Sequence, residues 1–252
     1  VIQERLIARV RELCRADERL TAALAYGSFV SGEADEHSDV EFWLFFDRAV
    51  DPGAWLAEVG PTRHTVVNEF GTHVVFFPGL VRGEFHFTGR EAIGGVAGWP
   101  ARSGPVDRMI LVDRTGELRA ALEALPAEPA TQPPGELCGR FANWLVLAHR
   151  VACRGELLRA VDALTHVQRH LLWMARLAEN RTQHWLTPSR AAETDLPADV
   201  VAVLHRATAT ADPVSLTAAV SAAWTCGRDY WQRLEQPVPE ALFAELDAAL
   251  RT

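Results

Sequence analysis

Between residues 126 and 135 the chain reads PAEPATQPPG, four prolines in ten residues. Such a segment cannot continue a helix and favours extended backbone, so it reads as a linker. It separates two halves whose hydrophobic patterns have different periods, which predicts two domains, 1–132 and 133–252.

Before the linker, residues 2–15 place Ile2, Leu6, Ile7, Val10 and Leu13 at helical spacing. Short runs rich in β-formers follow at 22–26, 40–46, 65–70, 74–77, 84–87 and 109–112, punctuated by Gly27-Ser28, Gly71 and Pro78-Gly79. A helical pattern opens at Asp113 and runs through Leu118, Leu122 and Leu125. After the linker the pattern is helical at 137–152, 156–180, 198–209, 213–232 and 239–250. The expected class is α+β: a mixed β-sheet domain with flanking helices, then a C-terminal α-helical bundle.

Of 252 residues, 48% are apolar and 23% charged, a balance ordinary for a soluble globular protein. The opening VIQERLIARVRELCR is amphipathic rather than signal-like, and no later stretch has about 18 uncharged apolar residues in a row. A cytoplasmic protein without a membrane partner is expected. Cys14, Cys138, Cys153 and Cys226 form no C-x-x-C pair, which argues against zinc and a disulfide framework and predicts four buried free thiols. The net charge of −8 and the lack of a basic block argue against nucleic acid as a partner. All 25 basic residues are arginine, so any phosphate clamp must use guanidinium forks, backbone amides or metal, and a P-loop is excluded.

One stretch of the first half resists a purely structural reading: YGSFVSGEADEHSDVEFWLFF, residues 26–46, sets Asp39 and Glu41 into a run that otherwise looks buried. Residues i and i+2 of a strand share a face roughly 6.6–7 Å apart, so these carboxylates converge while Val40 and Phe42 face the core. They repel unless a cation lies near, and a hard ion such as Mg²⁺ suits two carboxylates supplemented by substrate phosphates. Gly27-Ser28, eleven residues upstream of Asp39, offers amides and a hydroxyl for a triphosphate. In RGEFHF, residues 82–87, Glu84 alternates with Phe85 and Phe87 and is a third acid on a polar strand face; Glu69 in VNEFG is the competing candidate.

This arrangement, Gly-Ser, then acid-x-acid on a strand, then an acid on a later strand, resembles the polymerase-β-type nucleotidyltransferases. With NEFGTHVVFFPGLVRGEFHF and, in the helical half, HVQRHLLWMARLAENRTQHWLTPSRAAETDLP, the chain most resembles the two-domain lincosamide nucleotidyltransferases. Where many superfamily members have Asp as the second acid, this chain has Glu41. The resemblance implies that Asp39, Glu41 and Glu84 hold Mg²⁺, that Glu84 acts as general base, and that Gly27 and Ser28 bind the nucleotide. It implies ATP or another nucleoside triphosphate as co-substrate, a small-molecule antibiotic as acceptor and a possible homodimer. Glu69, His86, Arg140, Trp144 and Arg169 are candidate substrate contacts. His166 and His170 lack the glutamate of H-E-x-x-H and read as packing or substrate residues. An aminoglycoside acceptor and a non-catalytic nucleotide-binding regulatory module are the alternatives.

Overall fold

The computed structural model describes residues 2–250, which fall into two compact units divided between Pro129 and Ala130. In the first, α1 (Ile2–Ala16) precedes β1 (Leu20–Tyr26), the four-residue α2 (Ser28–Ser31) and β2 (Val40–Phe46). Next come α3 (Pro52–Ala57), β3 (His64–Val67), β4 (His73–Phe76) and β5 (Arg82–Gly89), then a 3₁₀ segment Arg90–Gly98, α4 (Val106–Met109), β6 (Ile110–Asp113) and α5 (Glu117–Glu123). The six strands form one sheet in the order β3-β4-β5-β2-β1-β6. Only β2 and β5 pair in parallel; the other neighbours are antiparallel. The expected α+β class is what the chain adopts.

Alternation explains why β2 sits in the middle of this sheet. Val40, Phe42, Leu44 and Phe46 are buried on one face, while Glu41 and Trp43 on the other remain partly open. Leu6, Val10 and Cys14 of α1 join the same core. Burying each Leu or Phe contributes about 1.5–3 kcal/mol, so register slips that would turn this set outward are strongly disfavoured.

Two sequence expectations fail at turns. The strand expected at 65–70 stops at Val67 because the Asn68 side chain accepts hydrogen bonds from the amides of Phe70 and Thr72, both at 3.0 Å, and Gly71 takes φ +77°. Glu69 is therefore exposed in a turn rather than on a strand. The helix expected from Asp113 begins at Glu117: Asp113 ends β6, and its carboxylate accepts from the amides of Gly116 at 2.9 Å and Arg119 at 2.8 Å. The short α3 had a readable start, since the Asp51 side chain accepts from the Gly53 amide at 2.9 Å with Pro52 in the first turn.

The second unit is helical: α6 (Pro134–Cys153), α7 (Leu157–Ala178), α8 (Ala192–Asp195), α9 (Ala198–Arg206), α10 (Pro213–Arg233) and α11 (Glu240–Leu250). On α7, Ala160, Ala163, Leu164, Val167, Leu171 and Met174 form one buried stripe at helical spacing. Gly227 of α10 lets Phe141 of α6 come close, since a Cβ there would lie 2.0 Å from the Phe141 ring. Among the described residues no helix is long and apolar enough to cross a membrane. The cysteine expectation needs one correction. Cys14, Cys138 and Cys226 are buried, and burial first, then Asp17, pushes the Cys14 thiol up to about 12, but Cys153 is exposed with its Sγ 3.7 Å from His149 Nε2.

A buried cation ties the loop between α7 and α8 to the bundle. Arg176, fully buried, donates to the carbonyls of Pro188 at 2.7 Å, Arg181 at 3.1 Å and Arg190 at 2.6 Å, and to Asp195 at 3.0 Å. Asp195 also meets His184 Nδ1 at 2.7 Å. Removing one partner of a buried pair leaves an uncompensated charge and unpaired acceptors. Arg176→Met should therefore lower unfolding free energy by about 3–5 kcal/mol, read from the midpoint and slope of a urea denaturation curve.

Candidate active site

The parallel pairing of β2 with β5 makes Glu41 and Glu84 direct Cα partners, and Tyr26 at the end of β1 is the antiparallel partner of Glu41 on its other side. Tyr26, Glu41 and Glu84 thus lie side by side across three strands. Asp39 lies one residue before β2, in a loop held by α1: buried Gln3 donates to the carbonyls of Glu36 at 2.8 Å and Ser38 at 3.3 Å. Within that loop Asp35 accepts from the His37 amide and the Ser38 hydroxyl, both at 2.9 Å.

Gly27 is fixed by a close approach. It has φ +76°, and a Cβ placed on it would lie 1.5 Å from Glu41 Oε2, so the turn lies directly against that carboxylate. Ser28, largely buried, opens α2 immediately after it. The Gly27-Ser28 turn and Glu41 therefore belong to one surface, with Asp39 at the entrance to the same strand.

Arg82 supplies the cation beside the acids. Its Nη1 donates to Asp39 Oδ2 at 2.6 Å, and its Nη2 bonds Glu84 Oε1. Arg82, Glu84 and His86 alternate along β5 and share a face. The other oxygen of Glu84 faces Tyr26, whose hydroxyl lies 3.4 Å from Oε2 and 3.0 Å from His86 Nε2, and Thr72 Oγ1 lies 3.3 Å from His86 Nδ1. One proton arrangement satisfies the row: Thr72 donates to His86 Nδ1, His86 Nε2–H to Tyr26, and Tyr26 to Glu84. Burial first, then the nearby Glu84 and Glu41, raises the Tyr26 pKa well above its ordinary value, so the phenol keeps its proton. Burial holds the His86 pKa below its usual 6.5, against an opposing pull from Glu84, so the imidazole is neutral at pH 7.

An aromatic wall adjoins these groups. Trp43 packs on His86 with ring centroids 5.0 Å apart and stacks on Trp99 at 5.6 Å, while Tyr26 meets Trp99 edge-on at 5.8 Å. Trp43 is fixed by a hydrogen bond from its indole nitrogen to Thr88 Oγ1 at 2.8 Å.

Among the described residues no three His, Cys, Asp or Glu side chains gather closely enough to hold a metal by protein ligands alone. Asp39 and Glu41 are hard oxygen donors two residues apart, and Mg²⁺ commonly takes only one or two carboxylates with substrate phosphates and water completing its shell. In donor chemistry the residues fit such an ion.

Residues 135–246 match the family described as lincosamide nucleotidyltransferase-like, C-terminal domain. The helical unit carries a lincosamide nucleotidyltransferase-like C-terminal domain. Over the helical half of the chain this match bears out the resemblance to the lincosamide nucleotidyltransferases. No curated protein matches the sequence. Among solved structures, an aminoglycoside 6-adenyltransferase from Bacillus subtilis aligns with 98% of this chain and 95% of its own at 11% identity and TM-score 0.43. A nucleotidyltransferase-like protein from Exiguobacterium sibiricum 255-15 aligns at 14% identity over 100% and 89%, with TM-score 0.34. The Thermotoga maritima CCA-adding enzyme complexed with tRNA aligns at 13% identity over 96% and 71%, with TM-score 0.34.

Within the sheet unit, Gly27, Ser28, Asp39, Glu41, Glu84 and His86 come together. Glu69, exposed in the β3–β4 turn, makes none of the hydrogen bonds that join Glu84 to Arg82 and Tyr26. In the helical unit Arg140 is tied to Gln132 at 2.7 Å and to Glu136 at 2.8 Å. Trp144 stacks on His166 with centroids 4.0 Å apart. Arg169 lines a cavity of about 460 Å³ with Trp173, Leu186 and Pro188. His170 is buried and donates from Nδ1 to the His166 carbonyl at 2.7 Å, which accounts for it as packing. Sequence reasoning passed over Gln3, Tyr26, Trp43, Thr72, Arg82 and Trp99. Arg82 was reachable from the alternation that singled out Glu84, and Tyr26 from its place beside Gly27.

Two measurements follow from this geometry. Gly27→Ala forces Glu41 aside, and its turnover should fall at least about a hundredfold in steady-state kinetics while stability drops by only about 1–2 kcal/mol in urea. His86 has a depressed folded-state pKa, so below about 6.5 the unfolded chain binds a proton that the native site resists, and stability falls as pH drops. The melting temperature should decline between pH 7.5 and 5.5, and His86→Gln should decline less over the same range.

Proposed function

We propose that the chain transfers a nucleoside monophosphate, AMP from ATP, to a hydroxyl of a lincosamide antibiotic and releases pyrophosphate. The observation that carries the reading is the in-register pairing of Glu41 with Glu84, with Asp39 beside them and Gly27 packed against Glu41. The acceptor class rests on the match of the helical unit to the lincosamide nucleotidyltransferase-like domain. In this reading residues 1–132 are the catalytic domain and 133–252 the acceptor-binding and pairing domain.

Nucleotidyltransferases use a nucleoside triphosphate with a divalent metal, and here Asp39 and Glu41 would hold Mg²⁺. Bound there, the ion would offset triphosphate charge and stabilise the pyrophosphate leaving group. The chain's own groups do the rest. The Gly27-Ser28 turn offers backbone and hydroxyl donors to phosphate oxygens. Glu84 accepts the proton of the attacking hydroxyl, whose pKa lies far above 7, so that the oxygen can reach the α-phosphorus. Tyr26, held protonated, donates to Oε2 of Glu84 while Arg82 holds Oε1, so the two bonds orient the carboxylate and each oxygen keeps a lone pair for the acceptor proton. The stacked pair of Trp43 and Trp99 gives a flat apolar surface beside the reacting groups.

The test is product analysis: protein with Mg²⁺ and ATP, and lincomycin, clindamycin or an aminoglycoside, followed by pyrophosphate release and mass spectrometry. The expected product is lincosamide plus AMP. Adenylylated aminoglycoside alone would move the acceptor class, and no product with any acceptor would favour a nucleotide-binding regulator. Asp39→Asn should keep its circular dichroism spectrum and lose turnover by at least about a hundredfold.

A further inference from the structure

We propose that Arg82 is a resident counter-cation of the nucleotide-free site, holding Asp39 and Glu84 in place and giving up Asp39 when a divalent ion arrives. The proposal rests on the assignment of Asp39 and Glu41 as the metal-binding pair. It deepens that assignment by giving a role to a residue outside the acid motif.

Three facts carry it. The two terminal nitrogens of one guanidinium are divided between two acids, Asp39 at 2.6 Å and Glu84. Arg82 is placed for this by backbone register: Val40 pairs with Gly83 in the parallel ladder, so the residues just before them, Asp39 and Arg82, are brought alongside. All three side chains remain partly open, with 35% of Arg82, 36% of Asp39 and 23% of Glu84 accessible, so a solvated ion can reach the pair without unfolding anything.

The chemistry then sets a competition. A guanidinium is a planar hydrogen-bond donor that binds carboxylate oxygens through N–H groups, whereas a divalent ion needs the oxygen lone pairs themselves. Asp39 Oδ2 cannot serve both fully, and two cations at one carboxylate repel. The guanidinium keeps its bond to Glu84 when it releases Asp39, so the general base stays oriented while the metal pair becomes available. Lysine would not reproduce this, because a single ammonium lacks the divided fork. Arg82 is thus a positioning residue: it acts through Asp39 and Glu84.

The experiment measures Mn²⁺ binding without nucleotide, by calorimetry and by the loss of the free-ion electron paramagnetic resonance signal, for the full chain and for Arg82→Gln, Arg82→Lys and Asp39→Asn. Circular dichroism melting confirms that each variant is folded. The expected result is Mn²⁺ binding about three- to fivefold tighter in Arg82→Gln, the scale of an exposed ion pair removed from competition. A larger rise in melting temperature at saturating Mn²⁺ accompanies it. Arg82→Lys should fall between, and Asp39→Asn should bind weakly. Equal or weaker binding in Arg82→Gln, with binding still lost in Asp39→Asn, overturns the role of Arg82 and leaves the metal site standing. Unchanged binding in Asp39→Asn overturns the metal assignment and this inference with it.

Discussion

The site depends on the one parallel strand pairing in the sheet. Because β2 and β5 run side by side in register, two acids distant in sequence, Glu41 and Glu84, become neighbours, and Asp39 meets Arg82 one step earlier. Carboxylates crowded this way are stable only with compensating charge or donors. Arg82, Tyr26 and the Gly27 turn supply that compensation and define the polar face. The opposite face is the apolar stripe of Val40, Phe42 and Leu44, whose burial fixes the register on which the acids rely.

The two faces of β2 therefore answer to different demands. Phe42 and Leu44 are fully buried and act through packing, as does Phe85 on the neighbouring strand. Glu41 and Trp43 on the other face are partly open and lie beside a row of hydrogen bonds that runs from Thr72 through His86 and Tyr26 to Glu84. Burial keeps His86 neutral and Tyr26 protonated, so charge at the site is concentrated on the carboxylates and on Arg82. A site with fixed donors around a few mobile charges suits a reaction in which charge shifts among phosphate oxygens.

Much of the sheet was legible in sequence because alternation and Gly/Pro punctuation are local signals. The boundaries of β2 came through without change, and the second unit is helical as expected, with the helix from Ala198 ending three residues early at Arg206 and a short extra helix at Ala192–Asp195. What failed was turn chemistry: Asn68 and Asp113 each use a side-chain carboxyl or amide oxygen to capture backbone amides, ending a strand earlier or starting a helix later than the apolar pattern suggests. Cys153 was misplaced for a related reason, since helical periodicity near the end of α6 does not say which side of the last turn is covered.

Asp39, Glu41, Gly27-Ser28 and Glu84 could be chosen from sequence because acids in an apolar run need a partner, and spacing identified where one would be sought. The sequence also determined that any fixed cation at the site would be a guanidinium or an imidazolium, as the chain has no lysine. It left open what stands between the acids, and whether Glu69 or Glu84 is the neighbour of Glu41. Only the tertiary structure decided these, because they depend on which strands pair and in what register. That choice is made by hydrophobic burial over the whole sheet and is not written at the positions of the acids themselves.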